Sequence, residues 1–342
     1  MSTMFDNIVG NESLKSRLSE DVSRSTLAHA DIIEGKRGSG RRTLALSIVA
    51  ALCCEDRSEG ANIPCGSCKH CKKILDQRSP DVIFKGIEED RVTVGIETIR
   101  AIKNDVYTAP NDLNVKAYVI EDADNMTEQA QNAFLILLES PPPYALFFLI
   151  CENSTSLLET VRSRAPSLRM ERLSPVQVKR HLLNHDKRAK ELEEQDPRAL
   201  DSAVFCGEGS IGASLELLDT KRREKLLESK ASAAKMVSML ASRDKKTAFE
   251  ATVSLGKKRA EAKSELVCMQ SAIRDLIVLK KSESAHLCFF EDRDEAAELA
   301  THYSSSSLFA LYDASGEAIN SLDAGANVRL TLTAMMQSAG II

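Results

Sequence analysis

Four short apolar runs alternate with helix-period segments between residues 30 and 153, and this alternation constrains the fold more than any other feature. The runs are ADIIEG (Ala30–Gly35), DVIFKG (Asp81–Gly86), KAYVIEDAD (Lys116–Asp124) and ALFFLICEN (Ala145–Asn153). Between them lie RTLALSIVAALCC, GIETIRAIKNDVYTAP and TEQAQNAFLILLES. In the second of these, Ile96, Ile99, Ile102 and Val106 recur at helical spacing, and Pro110 follows the expected end. The third runs into Pro141–Pro143, which cannot continue a helix. Strands separated by helices of this length run parallel, with the helices as crossovers. Continuous apolar strands belong to a sheet covered on both faces. The expected fold is therefore α/β with a parallel sheet, whose ligands sit at the carboxyl ends of the strands. A glycine loop, Glu121/Asp122 and Glu152/Asn153 all fall at such ends and are expected to converge.

After about Arg169 the strand pattern fades. SPVQVKRHLL opens a helix with Ser174 as cap and Pro175 at the first helical position. Helical segments continue through SAAKMVSML, SELVCMQSAIRDLIVLKK and ANVRLTLTAMMQSA, and HDKRAKELEEQDPR reads as a solvated helix face or linker. The chain of 342 residues is long enough for an α/β domain, a small helical domain and a larger helical domain.

A net charge of −5 and a pI near 5.8 argue against a protein that coats nucleic acid by bulk charge. Aromatic residues make up 4% of the chain and tryptophan is absent, which disfavours a stacking platform for bases. There is no apolar run of membrane-spanning length. The opening MSTMFDNIVGNE lacks the basic and apolar regions of a signal peptide, so a cytoplasmic location is expected.

The glycine loop, EGKRGSGRRTLA, follows the first strand and opens a helix. Gly35 and Gly40 are in register with the phosphate-binding pattern G-x-x-x-x-G-K-[ST], with Gly38 between them. Arg41 occupies the lysine slot, Arg42 the hydroxyl slot, and Thr43 comes one residue late. Arginine supplies charge without the compact ammonium, and it cannot replace a hydroxyl on magnesium. A glycine-rich helix N-terminus still attracts phosphate. The plainer reading is a tight strand-to-helix turn.

The sharpest chemical signal is CCEDRSEGANIPCGSCKHCKK. Cys65, Cys68 and Cys71 form C-x2-C-x2-C, and Cys54, or alternatively Cys53, supplies a fourth thiolate. Such spacing points successive thiolates at one ion and predicts a closed structural zinc site. An iron–sulfur cluster is the runner-up, though the C-x3-C-P continuation is missing. His70, inside the knuckle, is expected to be exposed rather than a ligand.

Together these segments resemble the bacterial clamp-loader subunits of DNA polymerase III. MFDNIVGNESLKSRL resembles their N-terminal segment, where the Val9–Gly10 pair would lie near the adenine pocket, and LAHADIIEGKRGSGRRTLA resembles their P-loop. The cysteine insertion after the P-loop helix, and the block from VKAYVIEDAD to ETVRSRA, match the family in order and spacing over roughly the first 220 residues. The resemblance implies an AAA+ P-loop module over 1–170 carrying a four-cysteine zinc module at about 53–72, a helical lid over 171–235 and a helical collar over 236–342 that oligomerises.

The departures bear on subunit type. Besides Arg41 and Arg42, the acidic pair is reversed to Glu121–Asp122, the sensor position holds Cys151 or Glu152, and Gly212 fills the arginine slot of GEGSIGASLELL. Such a pattern resembles the delta-prime stator rather than the gamma/tau motor, so ATP binding is expected to be weak or absent. Ser163–Arg164–Ala165 occupies the place of the family's Ser-Arg-Cys motif, which makes Arg164 an arginine finger acting in trans on a neighbour's ATP. The implied partners are the gamma/tau motor and delta subunits, with the sliding clamp and primed DNA reached through the complex. The alternatives are an active gamma/tau-type ATPase and a zinc-ribbon nucleic-acid binder.

Overall fold

The computed structural model describes residues 4–56, 63–87, 91–241, 258–282, 287–290, 292–323 and 325–340; part of the cysteine-rich insertion, 57–62, lies outside them. The chain divides into two compact units, Met1–Glu194 with Gly207–Leu215, and Gln195–Cys206 with Glu216–Ile342.

The first unit is built on a five-stranded parallel sheet of order β2-β3-β4-β1-β5. The strands are β1 (Ala30–Glu34), β2 (Val82–Lys85), β3 (Lys116–Ile120), β4 (Ala145–Cys151) and β5 (Ser167–Arg169). In chain order the helices up to residue 216 are α1 (Glu12–Arg24), α2 (Arg41–Cys53), α3 (Lys69–Leu75), α4 (Ile96–Asp105), α5 (Glu128–Glu139), α6 (Glu159–Arg162), α7 (Pro175–His185), α8 (Lys187–Gln195), α9 (Pro197–Cys206) and α10 (Ile211–Glu216), of which α9 falls in the second unit. The parallel α/β expectation therefore holds. KAYVIEDAD is shorter than expected as a strand: β3 stops at Ile120, and Ala123–Asn125 turn into a 3-10 helix behind Asp122 at φ 51°. The charged stretch after His185 is helical, as α8.

The continuous apolar strands are buried on both faces. Ile33, Val119, Phe148 and Ile150 pack with α2 on one side. On the other, Ile32, Tyr118, Phe147 and Leu149 meet α4 and α5, where the Phe134 ring stands edge-on to Phe147 at 5.3 Å. Helix α2 is buried from Leu44 through Ala51, the signature of a helix enclosed on all sides. Two charged strand residues break the pattern, Lys116 on β3, whose Nζ pairs with Asp105, and Asp31 on β1. Asp31 is 3% exposed on β1, its Oδ2 has no hydrogen-bond partner, and burial raises its pKa to about 7 against a smaller opposing pull from Arg17.

Helix α7 starts as its sequence dictates. The Ser174 hydroxyl accepts from the Gln177 N–H at 3.3 Å, and the Gln177 side-chain carbonyl accepts from the Ser174 N–H at 2.9 Å. Ser174→Ala is expected to cost about 1 kcal/mol, read as a fall of about 2–4 °C in the melting temperature of this unit.

The second unit has its own core. Helices α11 (Thr220–Ala241), α12 (Arg259–Leu279), α13 (Arg293–Thr301), α14 (Ser305–Asp323) and α15 (Val328–Ser338) bury Met236, Leu266, Met269, Ile273, Leu311 and Met336 together. Asp275, fully buried on α12, accepts at one oxygen from the N–H groups of Cys288, Phe289 and Phe290 and so fixes the segment before α13.

Candidate functional site

The site grows from the carboxyl ends of β1 and β3. The chain leaves β1 at Glu34, turns through Gly35–Gly40 and enters α2 with Gly40 as its N-cap at φ 95°. The Gly35 N–H donates to the Cys151 carbonyl at 3.2 Å, which ties the loop to the end of β4. Sequence alone places Arg42 and Glu121 near one site; the structure joins them. Arg42 Nε donates to Glu121 Oε1 at 2.8 Å, and Nη2 contacts Oε2, a two-point fork between guanidinium and carboxylate. The Arg42 guanidinium also lies over the Phe84 ring at 4.9 Å. Asp122 is exposed, and its left-handed backbone turns it out of the strand line. Thr43 is exposed and its carbonyl accepts from Ser47. Arg41 is half-buried near Cys151, and burial pushes the Cys151 thiol up to about 12.

A nucleotide-bearing loop of this kind needs open space over its glycines, a lysine, and a hydroxyl and acid free to hold magnesium. The residues present do not fit that group. The Gly212 N–H donates to the Gly38 carbonyl at 2.9 Å, so the start of α10 sits on the loop. Glu121 is engaged by Arg42. At the expected adenine end, a Cβ on Gly10 would stand 2.6 Å from Leu173 Cδ2, while the Val9 carbonyl accepts from Asn11 Nδ2.

The cysteine cluster does assemble. Sulfur atoms of Cys54, Cys65, Cys68 and Cys71 all lie within 4.8 Å of one another. Cys65 Sγ is 3.9 Å from Cys71 Sγ, close to the edge of a tetrahedron with metal–sulfur bonds of about 2.3 Å. The Cys68 N–H points at Cys65 Sγ and the Cys71 N–H at Cys68 Sγ, at 3.3 and 3.4 Å. The Ser67 hydroxyl, followed by the Cys68 N–H, draws the Cys65 thiol down to about 6, whereas burial raises Cys54 and Cys71. A four-thiol set of this geometry fits a metal ion. The choice between neighbours is also settled geometrically: Cys54 faces the cluster, and Cys53 Sγ donates instead to Asn114 Oδ1 at 3.0 Å. His70 departs from its expected exposure. It is half-buried, with a ring nitrogen 3.1 Å from the Cys53 carbonyl.

Arg164 follows α6 on the surface, with Ser163 beside it. Its Nη1 donates to the Thr160 carbonyl at 3.0 Å and its Nη2 to Glu139 Oε1 at 2.8 Å.

Residues 10–174 match the family model described as DNA polymerase III, delta subunit. This match, with relatives named as DNA polymerase III delta' and tau subunits, supports membership of the clamp-loader AAA+ family. Among clamp-loader relatives, the DNA polymerase III subunit delta' of Bacillus subtilis is 31% identical over 169 residues, 49% of this chain and 50% of its own. The subunit tau of Escherichia coli is 30% identical over 219 residues, 63% of this chain and 32% of its own. The chain thus spans half or less of the length of these relatives. A gamma subunit-related protein of Thermotoga maritima superposes over 94% of this chain and 98% of its own at 17% identity, with a loose TM-score of 0.41. Among the described residues, no helix is long and apolar enough to cross a membrane.

Proposed function

We propose that this chain is a delta-prime-type stator of a DNA polymerase III clamp loader. It helps to place the sliding clamp on primed DNA beside gamma/tau motor and delta subunits, binds ATP weakly or not at all, and completes a neighbour's ATP site with Arg164. The observation that carries the reading is the Arg42–Glu121 fork, which ties up the acid an ATPase would use for magnesium. Arg164 is likewise exposed, its guanidinium held at the surface by Glu139 and the Thr160 carbonyl. On this reading the Cys54/Cys65/Cys68/Cys71 cluster holds a structural zinc, residues 171–235 act as a lid and 236–342 as a collar.

The test is DNA- and clamp-stimulated ATP hydrolysis by a loader reconstituted from the same organism's subunits, with this chain or its Arg164→Ala variant. A loss of about tenfold or more, with assembly intact, is expected of an arginine finger. Unchanged turnover would sink the role in trans.

The longer alignment to a tau subunit favours a second reading, an active motor. MgATP turnover by the isolated chain separates the two: the stator reading expects none above background.

A further inference from the structure

The start of α10 packs against the carbonyl side of the Gly35–Gly40 loop. The Ser210 hydroxyl, fully buried, donates to the Arg37 carbonyl at 2.9 Å and also accepts from the Ala213 N–H at 3.2 Å. One hydroxyl thus caps α10 and fastens it to the loop. Next to it, the Gly212 N–H donates to the Gly38 carbonyl. The two backbones touch: a Cβ on Gly212 would stand 2.7 Å from Gly38 Cα, and a Cβ on Gly38 would stand 2.9 Å from the Ala213 nitrogen. Only glycine at both positions permits this approach. Charge completes the contact. Lys36 of the loop pairs with Glu208 at 2.7 Å, placing a carboxylate of the chain on a loop cation.

We infer that the Gly35–Gly40 loop serves as a socket for the chain's own Gly207–Leu215 segment, closing it independently of nucleotide. The loop of a nucleotide-binding protein offers N–H groups to an external anion. Here the carbonyls of Arg37 and Gly38 accept hydrogen bonds from Ser210 and Gly212. It follows that Gly212 is more than a lost arginine. Any side chain there drives α10 off Gly38, so restoring the family's arginine at this one position opens the socket instead of repairing a nucleotide site.

The inference rests on contacts within this chain and not on Arg164 acting in trans, and amide exchange reads it without a partner subunit. Hydrogen–deuterium exchange of the full chain, wild type and Gly212→Ala, with and without MgATP, is the experiment. In the wild type, residues 210–214 are expected to exchange slowly and identically in both conditions. Gly212→Ala is expected to speed exchange over 210–214 by about tenfold or more while β3 and β4 stay protected. Rapid exchange of 210–214 in the wild type, slower exchange there on adding MgATP, or unchanged exchange in Gly212→Ala would each overturn the socket. Should that variant fail to fold, Ser210→Ala removes both the hydroxyl bond to the Arg37 carbonyl and the cap on the Ala213 N–H. It is expected to speed exchange over 210–214 by about threefold to tenfold, and unchanged exchange there again overturns the inference.

Discussion

Purified chain is expected to carry one zinc ion, and Cys71→Ser to lose it and melt its first unit about 10 °C or more below the parent. The size follows from what the cluster joins. Cys54 caps the end of α2, Cys68 caps the start of α3, and Cys71 lies against the Ala50 carbonyl inside the core. Without an ion, these thiols lose the bonds that offset their crowding. Loss of a structural metal belongs to the small class of changes worth on the order of 4–5 kcal/mol, and each kcal/mol moves a unit of this size by about 2–4 °C. Cys53→Ser is the matched control and is expected to keep its zinc, because Cys53 bonds Asn114 outside the cluster. Metal content by mass spectrometry and a thermal melt decide the matter. A chain without metal, or a Cys71→Ser melt that overlays the parent, contradicts the assignment.

The second large effect concerns Asp31, whose burial raises its pKa from 3.8 to about 7. The sign is fixed by linkage. Below about pH 4 the carboxyl is protonated in both folded and unfolded chains, and the fold bears no penalty. Between about 4 and 7 the folded chain keeps a proton that the unfolded chain releases, so stability falls as pH rises. Above about 7 the penalty is full, at most about 4 kcal/mol for a shift of this size. Arg17 and Asp21, the charges acting on it from α1, pull in opposite directions, and burial outweighs both. Asp31→Asn is therefore expected to melt higher than the parent at about pH 8 and to match it near pH 4. Denaturant unfolding at the two pH values reads this difference. A gap that is equal at both, or larger at the acid end, contradicts it.

Much of the sheet was legible because its strands are continuous apolar runs. The exception, β5, spans only Ser167–Arg169, with Leu168 buried between exposed neighbours. One buried residue makes no periodic signal. The site was legible as positions and not as contacts. Arg42 reads in the sequence as a missing hydroxyl, because nothing local reveals Glu121 as its partner 79 residues on. The partnership is created by the sheet order, which sets the end of β3 across from the start of α2. Gly212 likewise reads as a missing arginine until the fold brings it onto Gly38. Cys53 and Cys54 are indistinguishable by spacing. Adjacent residues at a helix end point in different directions, and the phase of α2 within its core chooses between them.

Helix α2 is held at both ends, by the Arg42 fork and the Gly38 contact at one and by the sulfur cluster at the other. Its 13 residues make a rod of about 20 Å. A rod pinned at one end is a lever, and a push on its free tip swings it. A rod pinned at both is a strut. To swing it, one of these attachments has to break first.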